Sequence, residues 1–257
     1  VYSAIGTDLI DEKYLAELLF KKGYCLSRVG NFAGSANSLT VFIEKFPDNS
    51  KVSEAFIIRA GSYAKLENKA KALRDYDHVI KNSKDPQHEA IALQKSGVIQ
   101  FHAKRYDNMI DRYKKLVEGH PKLEAKTLAN ANYWICRAYF KRKKYRLGLK
   151  YLEDSWKLDK VTFLTQVSML RVIGNFSLRD HEETGNAVAM AESVGLQKKI
   201  PLAVYRWLGE FYYNNNNFKK AATQLEKGIE KGAAIATPIA IWRYLSKAQI
   251  QTDQHQE

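Results

Sequence analysis

Apolar residues along this chain recur three or four positions apart and form short segments separated by turn signals. In residues 205–228, Tyr205 and Leu208 fall on one face of a first helix and Leu225 on one face of a second. Between them the run Asn214 to Asn217 is a turn signal. The spacing therefore predicts a helix, a turn and a second helix, and no stretch alternates like a strand.

Small residues repeat this pattern along the chain at a nearly constant interval. Residues as small as glycine or nearly so stand 35 to 39 positions apart, at Gly23, Gly61, Gly97, Cys136, Gly174, Gly209 and Ser246. A second, mostly small residue follows the first six by eleven to thirteen positions, at Ser35, Ala72, Met109, Gly148, Ala187 and Ala221. Such a period indicates stacked repeats. Because closely packed helices need small residues where they cross, each unit is predicted to be a tight helix pair.

The motifs inside the units match a known repeat. The sixth unit has Leu208-Gly209, Tyr212, Phe218 and Ala221, and in the first unit Pro47 stands at the closing position. The units resemble tetratricopeptide repeats. The resemblance implies an all-α, right-handed superhelical solenoid of antiparallel helix pairs with about six and a half repeats. Its single domain, 1–257, is predicted to consist of units at 16–49, 54–86, 90–121, 129–160, 164–195 and 202–233 and a half unit at 238–253.

Two units depart from the pattern. In the second, the turn from Asn68 to Ala70 is one residue short before Ala72. The fifth has Arg179-Asp180-His181 in place of the turn aromatic, and it is the predicted site of a bend or a longer first helix. The usual period of the family, 34 residues, is exceeded in every unit, so longer helices or longer links are expected.

Both ends of the chain look cut. The sequence begins at Val1, and the last predicted helix, from Pro238 to about Gln251, has no partner helix after it. A repeat helix without its partner leaves an apolar face uncovered. We therefore expect a fragment of a longer array, with self-association through the uncovered repeat ends as one outcome. No run of about 20 apolar residues predicts a membrane span.

The sequence offers no support for catalysis. Cys136 stands where a glycine is expected and lies three units from Cys25, which predicts a small buried thiol and no disulfide. The six histidines are scattered, and the segment beginning at His181 lacks the second histidine of a zinc-binding helix. We expect no enzyme activity, no metal site and no cofactor.

The resemblance also implies a binding surface. In the family, five positions of each first helix line a concave groove. Transferred to this chain, these positions are basic or aromatic at Phe20, Tyr24, Arg28, Lys65, Phe101, Tyr133, Arg137, Phe140, Lys141, Arg171, Asn175, Arg179, Arg206, Tyr213, Asn214, Arg243 and Lys247. Arginine forks bind carboxylates at two points and aromatic rings give rigid contact area. The expected function is a non-enzymatic protein–protein interaction scaffold that binds an acidic peptide or partner protein. The alternative is that these charges only solvate the surface.

Net charge suggests a second class of function. Forty-one basic residues face twenty-eight acidic ones, giving +13, and the densest basic run is Arg137 to Lys150. Binding to nucleic acid or to an anionic surface is therefore the alternative function, although the basic residues are spread over all units and no nucleic-acid motif occurs. The segments 44–49 and 118–121 resemble the bacterial envelope subgroup of these repeats. This similarity favours a bacterial scaffold in the periplasm or cell envelope over the cytoplasm.

Overall fold

Helices account for nearly all of the structure, a computed structural model in which residues 11–231 and 239–254 are described. The chain divides into two compact units, residues 1–124 and 125–257. The first contains α1 (Glu12–Arg28), α2 (Phe32–Lys45), α3 (Val52–Lys65), α4 (Lys69–Asn82), α5 (Pro86–His102) and α6 (Tyr106–Gly119). The second contains α7 (Ala125–Lys141), α8 (Tyr145–Leu158), α9 (Leu164–Ser177), α10 (His181–Ser193), a 3-10 turn (Gln197–Lys199), α11 (Leu202–Asn214), α12 (Phe218–Lys231) and α13 (Ile239–Gln254).

The helices form consecutive hairpins, as the sequence predicted. Each of the six full units corresponds to one pair: α1–α2, α3–α4, α5–α6, α7–α8, α9–α10 and α11–α12. Within each compact unit, the second helix of a pair also packs on the first helix of the next, as α2 does on α3 and α8 on α9. The all-α helical repeat is thus confirmed, and no strand occurs in the described ranges. A single domain over 1–257 stays a prediction.

All six hairpins use the same three-residue turn. Its central residue adopts a left-handed backbone, with φ between 57° and 84°, at Gly30, Glu67, Lys104, Lys143, Arg179 and Asn216. The next residue donates its N–H to the carbonyl five positions earlier, as from Asn68 to Tyr63 at 2.9 Å. This arrangement satisfies carbonyls at the helix end. The prediction of a shorter second turn is therefore wrong, because that turn has the same geometry as the others.

Counting from these turns corrects three of the small positions. The residues that stand seven positions before the left-handed residue are all buried. They are Gly23, Ala60, Gly97, Cys136, Val172 and Gly209. Ala60 and Val172, not Gly61 and Gly174, are therefore the equivalent positions in the second and fifth units. Five residues after the turn centre, the fifth unit has Thr184 and not Ala187. The repeat is real, but a nearby glycine displaced the predicted first-helix positions by one or two residues, and the second-helix position of the fifth unit was displaced by three.

The glycines confirm close helix packing in three hairpins. A Cβ on Gly23 would lie 2.5 Å from the Cγ of Leu39, and one on Gly97 would lie 2.2 Å from the Cε2 of Tyr113. The corresponding distance from Gly209 to the Cγ of Leu225 is 2.5 Å. Real Cβ atoms do not approach so closely, so the partner helix lies against the glycine backbone in these pairs.

The fifth unit is irregular in a different way from the prediction. Helix α9 has 14 residues, whereas α1, α5 and α7 have 17, so the expected longer first helix is wrong. His181 occupies the turn-aromatic position, and its ring stacks 3.9 Å from the rings of Trp207 and Phe211. The irregular segment follows the hairpin: residues 194–201 contain the 3-10 turn and Gly195 at φ 75°. A bend in this unit stays a prediction.

Candidate partner-binding surface

The turns also provide the register for the predicted binding positions. In most first helices the predicted binding residues stand 10, 6, 3 or 2 positions before the left-handed residue of the turn. In α7, for example, Tyr133 stands ten positions and Arg137 six positions before that residue. Those of the fifth unit do not. Arg171 and Asn175 stand eight and four positions before the left-handed residue, which is Arg179 itself. Their placement on the binding surface was wrong by two residues, and the equivalent positions are Met169, Ile173, Phe176 and Ser177.

Arg171 and Asn175 instead contact second helices. The Nη2 of Arg171 donates to the Oε2 of Glu153 in α8 at 2.5 Å, and its Nη1 lies 3.5 Å from the sulfur of Met190 in α10. The amide of Asn175 donates to the backbone carbonyl of Glu183 at 3.3 Å. These contacts border a cavity of about 400 Å³ between α8, α9 and α10. Both side chains therefore hold α9 against its flanking second helices.

In the first compact unit an arginine likewise joins two second helices through polar contacts. Arg59 stands eight positions before its turn and donates two hydrogen bonds of 2.8 Å to Asp75 in α4. Its third bond, at 3.0 Å, reaches Thr40 in α2. At the next step Arg112 of α6 bridges Ser96 and Asp77 at 2.9 and 2.7 Å. Arginine thus links successive second helices, a role that sequence reasoning missed although the spacing of 16 residues from Arg59 to Asp75 repeats from Ser96 to Arg112.

Two predicted aromatic contacts are closed to a partner. Phe20 is 5% exposed and packs on Phe42 with ring centroids 5.6 Å apart. Phe101 is 7% exposed and lies 5.5 Å from the ring of Tyr106. These residues belong to the core, and their assignment to the binding surface is corrected for that reason.

A common packing rule explains much of this burial. The aromatic residue three positions before the turn centre contacts the aromatic two positions after it, with Phe140 and Tyr145 at 5.3 Å and Tyr213 and Phe218 at 5.6 Å. Phe140 also covers two glycines, since a Cβ on Gly148 would lie 2.4 Å from its ring and a Cβ on Gly174 would lie 2.8 Å from it. Aromatic rings at this position therefore pack between the two helices of the hairpin, and only the part of the ring that stays exposed can contact a partner.

Other predicted residues remain accessible. In residues 1–124 these are Tyr24, which is 43% exposed, Arg28 and Lys65. In the second compact unit Tyr133, Arg137 and Tyr213 are half-buried, and the exposed ones are Lys141, Arg179, Arg206, Asn214, Arg243 and Lys247. The sequence therefore located accessible cations in both units, while overestimating the available aromatic area.

We define the first-helix surface of the second compact unit by its accessible residues at the corrected positions. They are Tyr133, Arg137, Phe140, Lys141, Met169, Ile173, Phe176, Ser177, Arg206, Glu210, Tyr213, Asn214, Arg243 and Lys247. The guanidinium of Arg137 lies 4.4 Å from the ring centroid of Trp134 and 5.7 Å from that of Tyr133. Rings that flank a guanidinium in this way restrict its orientation. Tyr213 and Tyr244, 5.5 Å apart, connect α11 to α13.

The first-helix surface is cationic. Five of its fourteen residues are basic and one, Glu210, is acidic; the carboxylate of Glu210 accepts a hydrogen bond from Arg206 at 3.0 Å. No group of three or more potential metal ligands occurs in the described ranges. Among the described helices, none is both long and apolar enough to cross a bilayer.

Known structures share this arrangement of hairpins. No protein-family profile and no curated protein sequence matches the chain. A tetratricopeptide repeat protein from Parabacteroides merdae ATCC 43184 aligns with 92% of this chain and 99% of its own, at 13% identity and a TM-score of 0.58. The fold is that of a tetratricopeptide repeat protein. MamA 41-end from Desulfovibrio magneticus RS-1 covers 72% of the chain and 96% of its own length, at 17% identity and a TM-score of 0.58.

A third similar structure is YrrB, described as a tetratricopeptide repeat protein with an unusual peptide-binding site. It covers 81% of the chain and 97% of its own length, at 17% identity and a TM-score of 0.57. At these identities the likeness establishes the fold, and a peptide-binding role for this chain requires its own argument.

Proposed function

We propose that this protein is a non-catalytic interaction scaffold whose first-helix surface binds an acidic segment of a partner protein. The observation that carries the proposal is the row of cations on α7, α11 and α13, with Arg137 oriented by two aromatic rings. Further support comes from YrrB, which has the same fold and a peptide-binding site.

Charge and shape favour an acidic peptide as the ligand. Arginine forks and lysine ammonium groups bind carboxylates by charge-assisted hydrogen bonds, each contributing about 1.5–3 kcal/mol. Tyr133 and Tyr213 add partly exposed aromatic area beside these cations. An acidic peptide lying across α7, α9 and α11 would meet Arg137 near one end and Arg206 near the other.

The test uses fluorescein-labelled 12-residue peptides in matched pairs, one rich in Asp and Glu and one with Asn and Gln in their place. The scaffold should bind the acidic members preferentially in fluorescence anisotropy. The double variant Arg137→Glu, Arg206→Glu should lose at least about tenfold in affinity, because two charge-assisted contacts become repulsive. Arg171 is not a suitable target, since its substitution would break the link to Glu153.

A matched control carries the same change of charge elsewhere. Lys157→Glu, Lys219→Glu alters two exposed lysines on the second helices α8 and α12 of the same compact unit, outside the first-helix surface. It should retain acidic-peptide affinity within about twofold, and both variants should keep their helical circular dichroism. Equal affinity of the two double variants would contradict the proposal.

Nucleic-acid binding is tested in the same assay. If phosphate contacts were the function, a random DNA duplex would bind more tightly than any peptide and lose affinity steeply as salt rises. That result would also contradict the scaffold proposal. Self-association through the repeat ends and a bacterial envelope location stay predictions.

A further inference from the structure

Helix α8 presents an outward face unlike that of an ordinary solvated helix. Arg146, Lys150 and Lys157 stand four and seven residues apart, so they form one row along the helix. Leu147 and Leu158, 45% and 39% exposed, lie in the adjacent row. Their spacing of eleven residues is three helical turns, about 16 Å. A basic row and an exposed apolar row therefore run side by side.

This face lies away from the buried residues of α8. The opposite side of α8 supplies the buried contacts, through Gly148, Leu152 and Ser155. Arg146, Lys150 and Lys157 form no ion pair with any residue in the described ranges, whereas Arg171 engages Glu153 on the flank of α8. The hairpin fold alone thus explains neither row.

The turn that precedes α8 adds further basic residues, although its backbone conformation does not require them. Lys143 and Lys144 are exposed there, with Lys143 in the left-handed conformation. The sixth hairpin forms the same turn from three asparagines, at 215–217. Clustering of like charges is unfavourable in itself, so these cations have a cost that the turn geometry does not require.

We propose that the outward face of α8 binds the surface of an anionic phospholipid bilayer. The face is a helix ridge, which suits a planar partner. Cations near an anionic membrane are attracted to its headgroups, and apolar side chains between them enter the boundary of the acyl chains. A nucleic acid would neutralise the same cations but leave Leu147 and Leu158 in water. The bilayer uses both rows, and the site is separate from the first-helix surface.

The experiment measures co-sedimentation of the whole chain with vesicles of phosphatidylcholine containing 30% phosphatidylserine, and with phosphatidylcholine alone. Binding to the anionic vesicles is expected. The triple variant Arg146→Glu, Lys150→Glu, Lys157→Glu should weaken it on the order of 100-fold, because each cation near the surface contributes about fivefold. The control Lys22→Glu, Lys95→Glu, Lys219→Glu has the same net charge and should bind at least tenfold more tightly than the triple variant.

Two further variants test the geometry of the face. Leu147→Ser with Leu158→Ser leaves every charge in place and should lower vesicle binding by at least about fivefold, since burial of the two leucines is lost. Asp154 is half-buried between the two rows, so Asp154→Asn should raise binding by about fivefold. This gain cannot result from misfolding. The variant Arg137→Glu, Arg206→Glu should retain vesicle binding, which separates this proposal from the peptide site.

Three results would overturn the proposal. One is equal sedimentation with anionic and neutral vesicles, including none with either. Another is equal weakening by the triple variant and its control. The third is unchanged vesicle binding by the leucine variant together with tight binding of a random DNA duplex at 150 mM salt, which would assign the face to phosphate recognition alone.

Discussion

Individual side chains at repeat positions differ mainly in how deeply the neighbouring helices cover them. Cys25 is exposed, whereas Cys136, at a crossing position, is fully buried, and burial raises the pKa of its thiol to about 12. Because the thiolate is the reactive form, Cys136 should be inert in the folded protein. At pH 8 a thiol reagent should label one cysteine per chain, and two in denaturant. Cys25→Ser should abolish the native labelling; two labelled thiols in the native wild type would contradict this expectation.

The same difference in burial limited the site prediction from sequence. Sequence pattern placed Tyr24 and Arg137 correctly at accessible positions, because their distance from the turn follows the family. The sequence pattern could not show that Phe101 is buried, since an aromatic residue that packs inside the hairpin and one that is exposed for binding have the same residue type and the same spacing. Arg171 was misplaced because Gly174 is small but stands five residues before the turn centre, where the other units have seven.

Hairpins depend on glycine only where the partner side chain reaches the helix backbone. Gly97→Ala should destabilise the protein by about 1–3 kcal/mol, because its Cβ would overlap the ring of Tyr113 at 2.2 Å. Gly61→Ala is the matched control in the preceding hairpin. Its new Cβ would meet only the Tyr76 hydroxyl at 3.9 Å, so the higher helix propensity of alanine should raise stability by up to about 1 kcal/mol. Urea unfolding followed by circular dichroism measures both, and equal effects would refute the register deduced from the turns.

Helix number and pairing could be predicted because apolar spacing and small residues act within each element. Turn conformation could not, since five of the six left-handed residues are not glycine, and Glu67 and Lys143 give no local signal for it. The link 194–201 was equally hidden: its 3-10 turn, Gln197–Lys199, falls between the predicted units 164–195 and 202–233 and has no counterpart in the repeat pattern.

At the scale of the whole molecule, stability should be a sum of local terms. Within each compact unit, the hairpins pack chiefly against their neighbours in sequence, as expected for repeat proteins. Gly97 and Gly209 stand at equivalent positions in different compact units, and a Cβ at either would overlap a core side chain, that of Tyr113 or Leu225. Each alanine variant should therefore weaken only the unit that contains it.

Native-state hydrogen exchange tests this additivity. Gly97→Ala should reduce protection within residues 11–124 and leave 125–231 unchanged, and Gly209→Ala should do the reverse. The double variant should show both losses, with the free energies of opening adding within about 0.5 kcal/mol, because distant sites without shared partners do not couple. A coupling above about 1 kcal/mol would mean that the two units unfold as one cooperative body, and the sum of local terms would then fail.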